Sequence, residues 1–213
     1  MSLCGRFSLT EALEDLKEYY QFHMREDFDL HTHLNLSPSN QITAIVKVEG
    51  KRYPAAFRWG LIPPFAKDEK IGYKTFNARA ETVADKPSFR KAFRSKRCLI
   101  PASSFYEWKK TEEGYKQPYE IKLLSGDPLT FAGLWESWRN EKNDLIRSCT
   151  IITTEPNSTM SKIHDRMPVI LSPDQFDQWL NPDSEPDHLK QMLVPFSGEL
   201  GIAEISGERF KQK

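Results

Sequence analysis

Residues 98–153 read CLIPASSFYEWKKTEEGYKQPYEIKLLSGDPLTFAGLWESWRNEKNDLIRSCTIIT, and this stretch decides the fold class. Apolar, β-branched and aromatic residues gather in runs at 98–109, 118–124, 129–138 and 145–153. Glu113-Gly114 and the segment from Asn140 to Asp144 carry turn chemistry between runs, which predicts antiparallel hairpins. Toward the amino terminus, further strand-like runs lie at 42–48, 53–61 and 75–81. A short amphipathic helix is predicted over 10–22. Ser8 and Glu11 have capping-box spacing there, and Leu9, Ala12, Leu13, Leu16 and Tyr20 recur with helical period. Toward the carboxyl end, Ser172-Pro173-Asp174-Gln175 reads as an N-cap, a proline at the first helical position and a box partner, opening a helix to about Leu180. A further helix is predicted over 187–193. Strands and helices do not alternate regularly, so a mixed, mainly antiparallel α+β fold is expected in place of a parallel α/β sheet.

The 213 residues suffice for a full core, and 1–213 is read as one domain. Charge is mixed, aromatics are plentiful, and no repeat or low-complexity segment stands out. The start lacks a cationic region followed by an apolar run, so no signal peptide is expected. No segment reaches the roughly 20 apolar residues that span a bilayer. Cys4, Cys98 and Cys149 are odd in number and far apart, which predicts a reduced, cytoplasmic protein without a disulfide framework. His31 and His33 have no further ligands beside them, and neither a metal nor a cofactor is expected. Lys+Arg and Asp+Glu both number 30, and zero net charge argues against indiscriminate coating of DNA. The distribution is uneven, however. The stretch 11–29 is acidic, whereas Lys86, Arg90, Lys91, Arg94, Lys96 and Arg97 form a basic run, read as a solvated helix face or a nucleic-acid patch.

Four segments concentrate groups able to do chemistry. Cys4-Gly5-Arg6-Phe7 stands almost at the chain start, and on spacing alone Cys4 reads as a buried cysteine in an opening strand. Phe76-Asn77-Ala78-Arg79-Ala80-Glu81, if extended, puts Asn77, Arg79 and Glu81 on one face, as solvated edge residues or as the lining of a polar pocket. Phe105-Tyr106-Glu107-Trp108 places Glu107 among aromatics, where desolvation raises a carboxyl pKa and suits it to acid/base work; the alternative is an exposed strand-end glutamate. In Ile163-His164-Asp165-Arg166-Met167-Pro168, proline keeps Met167 out of helix, so His164, Asp165 and Arg166 belong to a loop or extended lead-in. A loop histidine beside an arginine suits an anionic substrate.

These segments, with Arg58-Trp59-Gly60-Leu61-Ile62-Pro63, closely resemble the SOS-response-associated peptidase (SRAP) family, in its order and at similar intervals from Cys4 to about Leu180. The segment from Gly201 to Lys213 departs from the family's expected Val-, Asn- and Lys-rich close. The resemblance implies a barrel-like β core with flanking helices, and a protein that captures abasic sites in single-stranded DNA as a covalent crosslink during the DNA damage response. By the same resemblance Cys4 is the nucleophile, Asn77 holds the adduct, and Glu107 and His164 form an acid/base pair. Arg6, Arg79 and Arg166 grip flanking phosphates, and Trp59 is a pocket-side aromatic that meets the DNA. A monomer acting on damaged DNA in the cytoplasm is implied, with abasic-site lyase chemistry beside capture.

The residue types agree with that chemistry. An amino-terminal cysteine is a 1,2-aminothiol, with an amine of pKa ~7.7–8.0 and a thiol near ~8.5. Its amine condenses with an aldehyde, and its thiol closes the imine into a thiazolidine. Two other readings stay open: a cysteine autopeptidase acting on its own leader, since thiol, carboxylate and imidazole are all present, and a non-covalent single-strand binding module. Met1-Ser2-Leu3 ahead of Cys4 reads as an expression leader, because a family member is expected to begin Met-Cys.

Overall fold

A computed structural model describes residues 4–24 and 28–210. The reading of Met1-Ser2-Leu3 as a leader lies outside the described residues. The chain opens with β1 (Phe7–Leu9), α1 (Leu13–Tyr20), β2 (His33–Leu36), β3 (Gln41–Val48), β4 (Lys51–Trp59) and β5 (Asn77–Arg79). It continues through α2 (Arg90–Ser95), β6 (Arg97–Ala102), β7 (Ser104–Lys110), β8 (Lys116–Leu123), β9 (Leu129–Arg139) and β10 (Leu145–Thr154). Then follow β11 (Met167–Pro168), α3 (Phe176–Leu180), α4 (Pro186–Gln191) and β12 (Leu200–Glu204). Among the described residues, no helix is long and apolar enough to cross a membrane.

Five strands close into a barrel in the order β4-β3-β6-β9-β10, with β10 returning to β4. Four of the five contacts are antiparallel, and only β10 runs parallel to β4. The α+β class, mainly antiparallel and barrel-like, is the architecture observed. A second sheet, ordered β12-β8-β7-β1-β2, packs against the barrel. Phe7 joins the two, its ring lying edge-on to Trp59 at 5.2 Å and to Phe131 at 5.8 Å, while Phe105 meets Phe131 at 6.0 Å. Aromatic rings prefer this geometry because a positive edge meets a negative face. On β9, a Cβ added at Gly133 would lie 2.7 Å from the Ile100 side chain and 2.8 Å from the Cys98 sulfur, so any side chain there would have to displace both.

Three expectations change. The run at 98–109 is two strands in different sheets, broken at Ser103, whose N–H donates to Ser8 O at 2.7 Å. Continuous apolar character hides such a break, since β6 is buried throughout and β7 is buried at its start. The first helix begins at Leu13 after an Ala12 N-cap, because Ser8 belongs to β1 and its hydroxyl meets that of Ser104 at 2.8 Å. Glu11 instead accepts from Ser103 and from Thr10 N. In 75–81 only Asn77–Arg79 is strand, and a turn follows. The Ser172–Gln175 capping box is present, opening a 3₁₀ turn that runs into α3.

Candidate active site

The two edges of β10 assemble the site. Beyond its contact with β4, β10 pairs in parallel with β5 at Ile151↔Asn77 and Thr153↔Arg79. On its other edge, past β9, it pairs with β11 at Thr154↔Met167. Asn77 and the loop bearing His164 are thus carried to the same end of one strand. β1 and β7 bring the other two groups, with Phe7 opposite Phe105 and Tyr106 N donating to Arg6 O at 2.9 Å.

Cys4 is buried, and its Sγ lies 3.9 Å from Arg166 O. Asn77 Nδ2 donates to Cys4 O at 3.0 Å, holding the backbone of the cysteine in place. Burial pushes the Cys4 thiol well above its ordinary range, and the adjacent Glu107 carboxyl pushes it the same way. Glu107 is 1% exposed, so the strand-end alternative does not hold. Desolvation raises its pKa to about 7, against the lowering effects of His164 and Cys4. His164 Nε2 stands 3.9 Å from Glu107 Oε2, while His164 Nδ1 accepts from Arg166 N at 3.0 Å. Nδ1 also lies 3.1 Å from the exposed Asp165 Oδ1, and Nε2 is the nitrogen that faces Glu107. Glu107 Oε1 and Asn77 Oδ1 are buried without a hydrogen-bond partner. Buried polar atoms are ordinarily paired, so both can still take a hydrogen bond from a group that enters beside Cys4.

The cationic side chains divide by environment. Arg79 is exposed beside Asn77. Arg6 is half-buried, and its Nη1 donates to Asn35 Oδ1 at 2.7 Å. Arg166 forks onto Glu81, at 2.6 and 3.0 Å, and also donates to Thr153 O at 2.7 Å. Its guanidinium ties the end of β5 to the His164 loop, with a side chain only 14% exposed. Glu81 is correspondingly held below the usual carboxylate range, chiefly by its hydrogen bonds from Arg166.

Trp59, expected to meet the DNA, is instead a core residue at 1% exposure. Its indole N–H donates to Phe76 O at 2.9 Å, so it steadies the strand before Asn77 and has no ring face free for a base. The basic run also divides. Arg97 is buried and donates to the carbonyls of Phe93, Trp179 and Asn181, and Lys96 pairs with Glu136. Lys86, Arg90, Lys91 and Arg94 are exposed. His31 and His33 line a surface hollow of about 470 Å³ together with Asn35.

Sequence reasoning passed over Asn35, Thr153 and Phe210. Each touches an arginine or aromatic of the site through a tertiary contact between separate segments, and no local pattern signals that. Glu81 stood in a noted motif, but its partner Arg166 is 85 residues away.

Residues 3–208 match the family described as SOS response associated peptidase (SRAP). The abasic site processing protein YoqW of Bacillus subtilis is 47% identical over 199 residues, covering 92% of this chain and 89% of the relative. The abasic site processing protein HMCES of Xenopus tropicalis is 30% identical over 222 residues, covering 84% and 66%. A crystal structure of a protein from Bacteroides thetaiotaomicron superposes with a TM-score of 0.88 at 26% identity, covering 99% of this chain and 95% of that one. With that match running through every segment that converges on Cys4, the chain belongs to the SRAP family.

Proposed function

We propose that this protein processes abasic sites in single-stranded DNA by capturing them covalently through Cys4. One observation carries the reading: a cysteine near the chain start lies against a buried carboxyl that keeps its proton to about pH 7, with an imidazole behind it. The names of the relatives support the substrate class.

The ring-opened abasic sugar presents an aldehyde. In protein freed of residues 1–3, the Cys4 amine adds to its carbon, and the carbinolamine, protonated on its hydroxyl, loses water to give a protonated imine. Cys4 sulfur then adds to the imine carbon as Glu107 takes the thiol proton, closing a five-membered thiazolidine whose nitrogen keeps its own proton. Nothing is oxidised or reduced. Glu107 gives a proton to the departing hydroxyl and takes one from the thiol, and a pKa near the working pH makes both forms available. His164, whose Nε2 faces the site, protonates the deoxyribose ring oxygen as the sugar opens. Asn77 keeps Cys4 in place. Arg79 and Arg6 meet flanking phosphates, with Arg166 ordering the loop between them and sharing its fork between Glu81 and the DNA. The same imine is the entry to β-elimination, so strand cleavage accompanies capture.

A thiol whose pKa is raised by burial and by a carboxyl is a poor thiolate at rest. This favours amine-first capture over attack by sulfur on a peptide bond. The reading is tested by mixing protein bearing a free Cys4 amine with an abasic single-stranded oligonucleotide, without borohydride. A product that survives heat and detergent is expected, formed ~10²-fold more slowly by Glu107→Gln. A product that requires borohydride, or binding without any covalent product, overturns it.

A further inference from the structure

The family match ends at residue 208, yet the two residues after it lie against the site. The 3₁₀ turn Gly207–Phe210 follows β12 and folds back over the outer face of β7. Arg209 pairs with Glu120 at 3.2 Å, and its guanidinium lies 5.4 Å from the Tyr106 ring. Phe210 then packs 5.0 Å from Tyr106 and 5.0 Å from Trp108. The guanidinium of Arg6 lies 5.3 Å from the Phe210 ring and 5.9 Å from Trp108, with Asn35 accepting from its Nη1. Arg6 is two residues from Cys4, and Arg6 O accepts from the N–H adjacent in sequence to Glu107.

We propose that the turn Gly207–Phe210 is a clasp and that Phe210 is a positioning residue which holds Arg6 ready for a DNA phosphate beside Cys4. The proposal rests on the reading of Arg6 as a phosphate contact. An arginine on a strand end has many rotamers, and gripping one phosphate discards most of them. Two ring faces and one amide select the rotamer before DNA arrives, so less is lost on binding. The face of a ring attracts the cation without competing for its N–H groups, which remain directed at acceptors. Arg209 plays a supporting part by pinning the turn to β8 through Glu120.

The test uses the full chain with a free Cys4 amine and four variants: Phe210→Ala, Phe210→Trp, Arg6→Ala and the Arg6→Ala/Phe210→Ala pair. Affinity is read by anisotropy on single-stranded DNA bearing a tetrahydrofuran abasic analogue, which cannot crosslink, across a salt series. Crosslinking to a true abasic site is read in single turnovers at saturating DNA. Phe210→Ala is expected to weaken affinity about two- to fivefold, to flatten the salt slope by up to ~0.7, and to leave the saturated rate unchanged. Phe210→Trp restores both affinity and slope. In the Arg6→Ala background, removing Phe210 has no further effect. Should Phe210→Ala unfold the protein, Phe210→Leu replaces it, since leucine keeps apolar bulk without a ring face, and the same loss is expected. Equal losses in both backgrounds, unchanged affinity, or tighter binding on removal of the ring overturn the clasp; the last would make the turn a cover over the site. If the affinity pattern holds while no variant crosslinks, the capture chemistry fails and the clasp stands.

Discussion

Glu107 holds a proton that an exposed glutamate would release, because its carboxyl is walled in by strands and has no cation paired at hydrogen-bond distance. The consequence for stability has a definite sign. Between the ordinary carboxyl pKa of about 4.3 and the folded value of about 7, the unfolded chain releases this proton while the folded one keeps it. Stability contributed at this site is therefore full in acid, declines as pH rises through that window, and is flat above it. The loss is on the order of 3 kcal/mol at pH 8. Glu107→Gln removes it, so its thermal midpoint should pull ahead of the parent's between pH 4.5 and 7 and stay ahead above. Parallel profiles would mean the carboxyl is ionised throughout. At Cys4, the nitrogen of the chain as given is the amide of the Leu3–Cys4 bond, and amides do not form imines. This chain should bind abasic single-stranded DNA without forming a thiazolidine, and deleting Ser2 and Leu3 should restore the product once methionine is removed. Intact-mass spectrometry reads the result. An adduct on protein still carrying residues 1–3 would sink the aminothiol mechanism, and spontaneous release of those residues would mark an autopeptidase.

At the scale of elements, α2 shows how one basic run serves two purposes. Its carboxyl-terminal neighbour Arg97 leads into β6 and spends its guanidinium on three main-chain carbonyls, two of them just past α3 or at its end. Burial lowers the pKa of this arginine to about 10, and the ring of Trp179 lies 5.9 Å from it. Arg97→Ala would leave those carbonyls unpaired in an apolar setting and should cost about 3 kcal/mol or more in denaturant unfolding. Arg90→Ala and Arg94→Ala, on the exposed face of the same helix, should stay within ~0.5 kcal/mol of the parent. Equal effects at all three positions would contradict the division of the run into anchor and surface.

Over the whole molecule, positive and negative side chains balance, so no broad field draws DNA in. On the proposed function, binding comes from a few local phosphate contacts, and its salt dependence counts them. Each neutralised phosphate on a single strand contributes about −0.7 to the slope of log affinity against log salt. With Arg6 and Arg79 as the contacts, and the charge of Arg166 offset by its pairing with Glu81, a slope of roughly −1.4 is expected, and Arg79→Ala should halve it. A steep slope that neither Arg6→Ala nor Arg79→Ala reduces would move the interface elsewhere, with the exposed face of α2 first in line.

The apolar, β-branched and aromatic runs and the turn chemistry at Glu113-Gly114 and Asn140–Asp144 made both hairpins and the mainly antiparallel class legible, because these signals act within a few residues. The segments holding Cys4, Asn77, Glu107 and His164 were legible as chemistry for the same reason: each motif is local. Only the tertiary structure decided how they meet. The closure of the barrel through β9–β10, the split of 98–109 between two sheets and the delivery of Asn77 and His164 to one end of β10 all depend on pairings between distant strands. Burial likewise belongs to the assembled fold. It turned Trp59 and Arg97 from surface candidates into core, raised the pKa of Glu107, and placed Phe210 beside Arg6. No stretch of sequence carries the desolvation of a side chain, since that is set by everything packed around it.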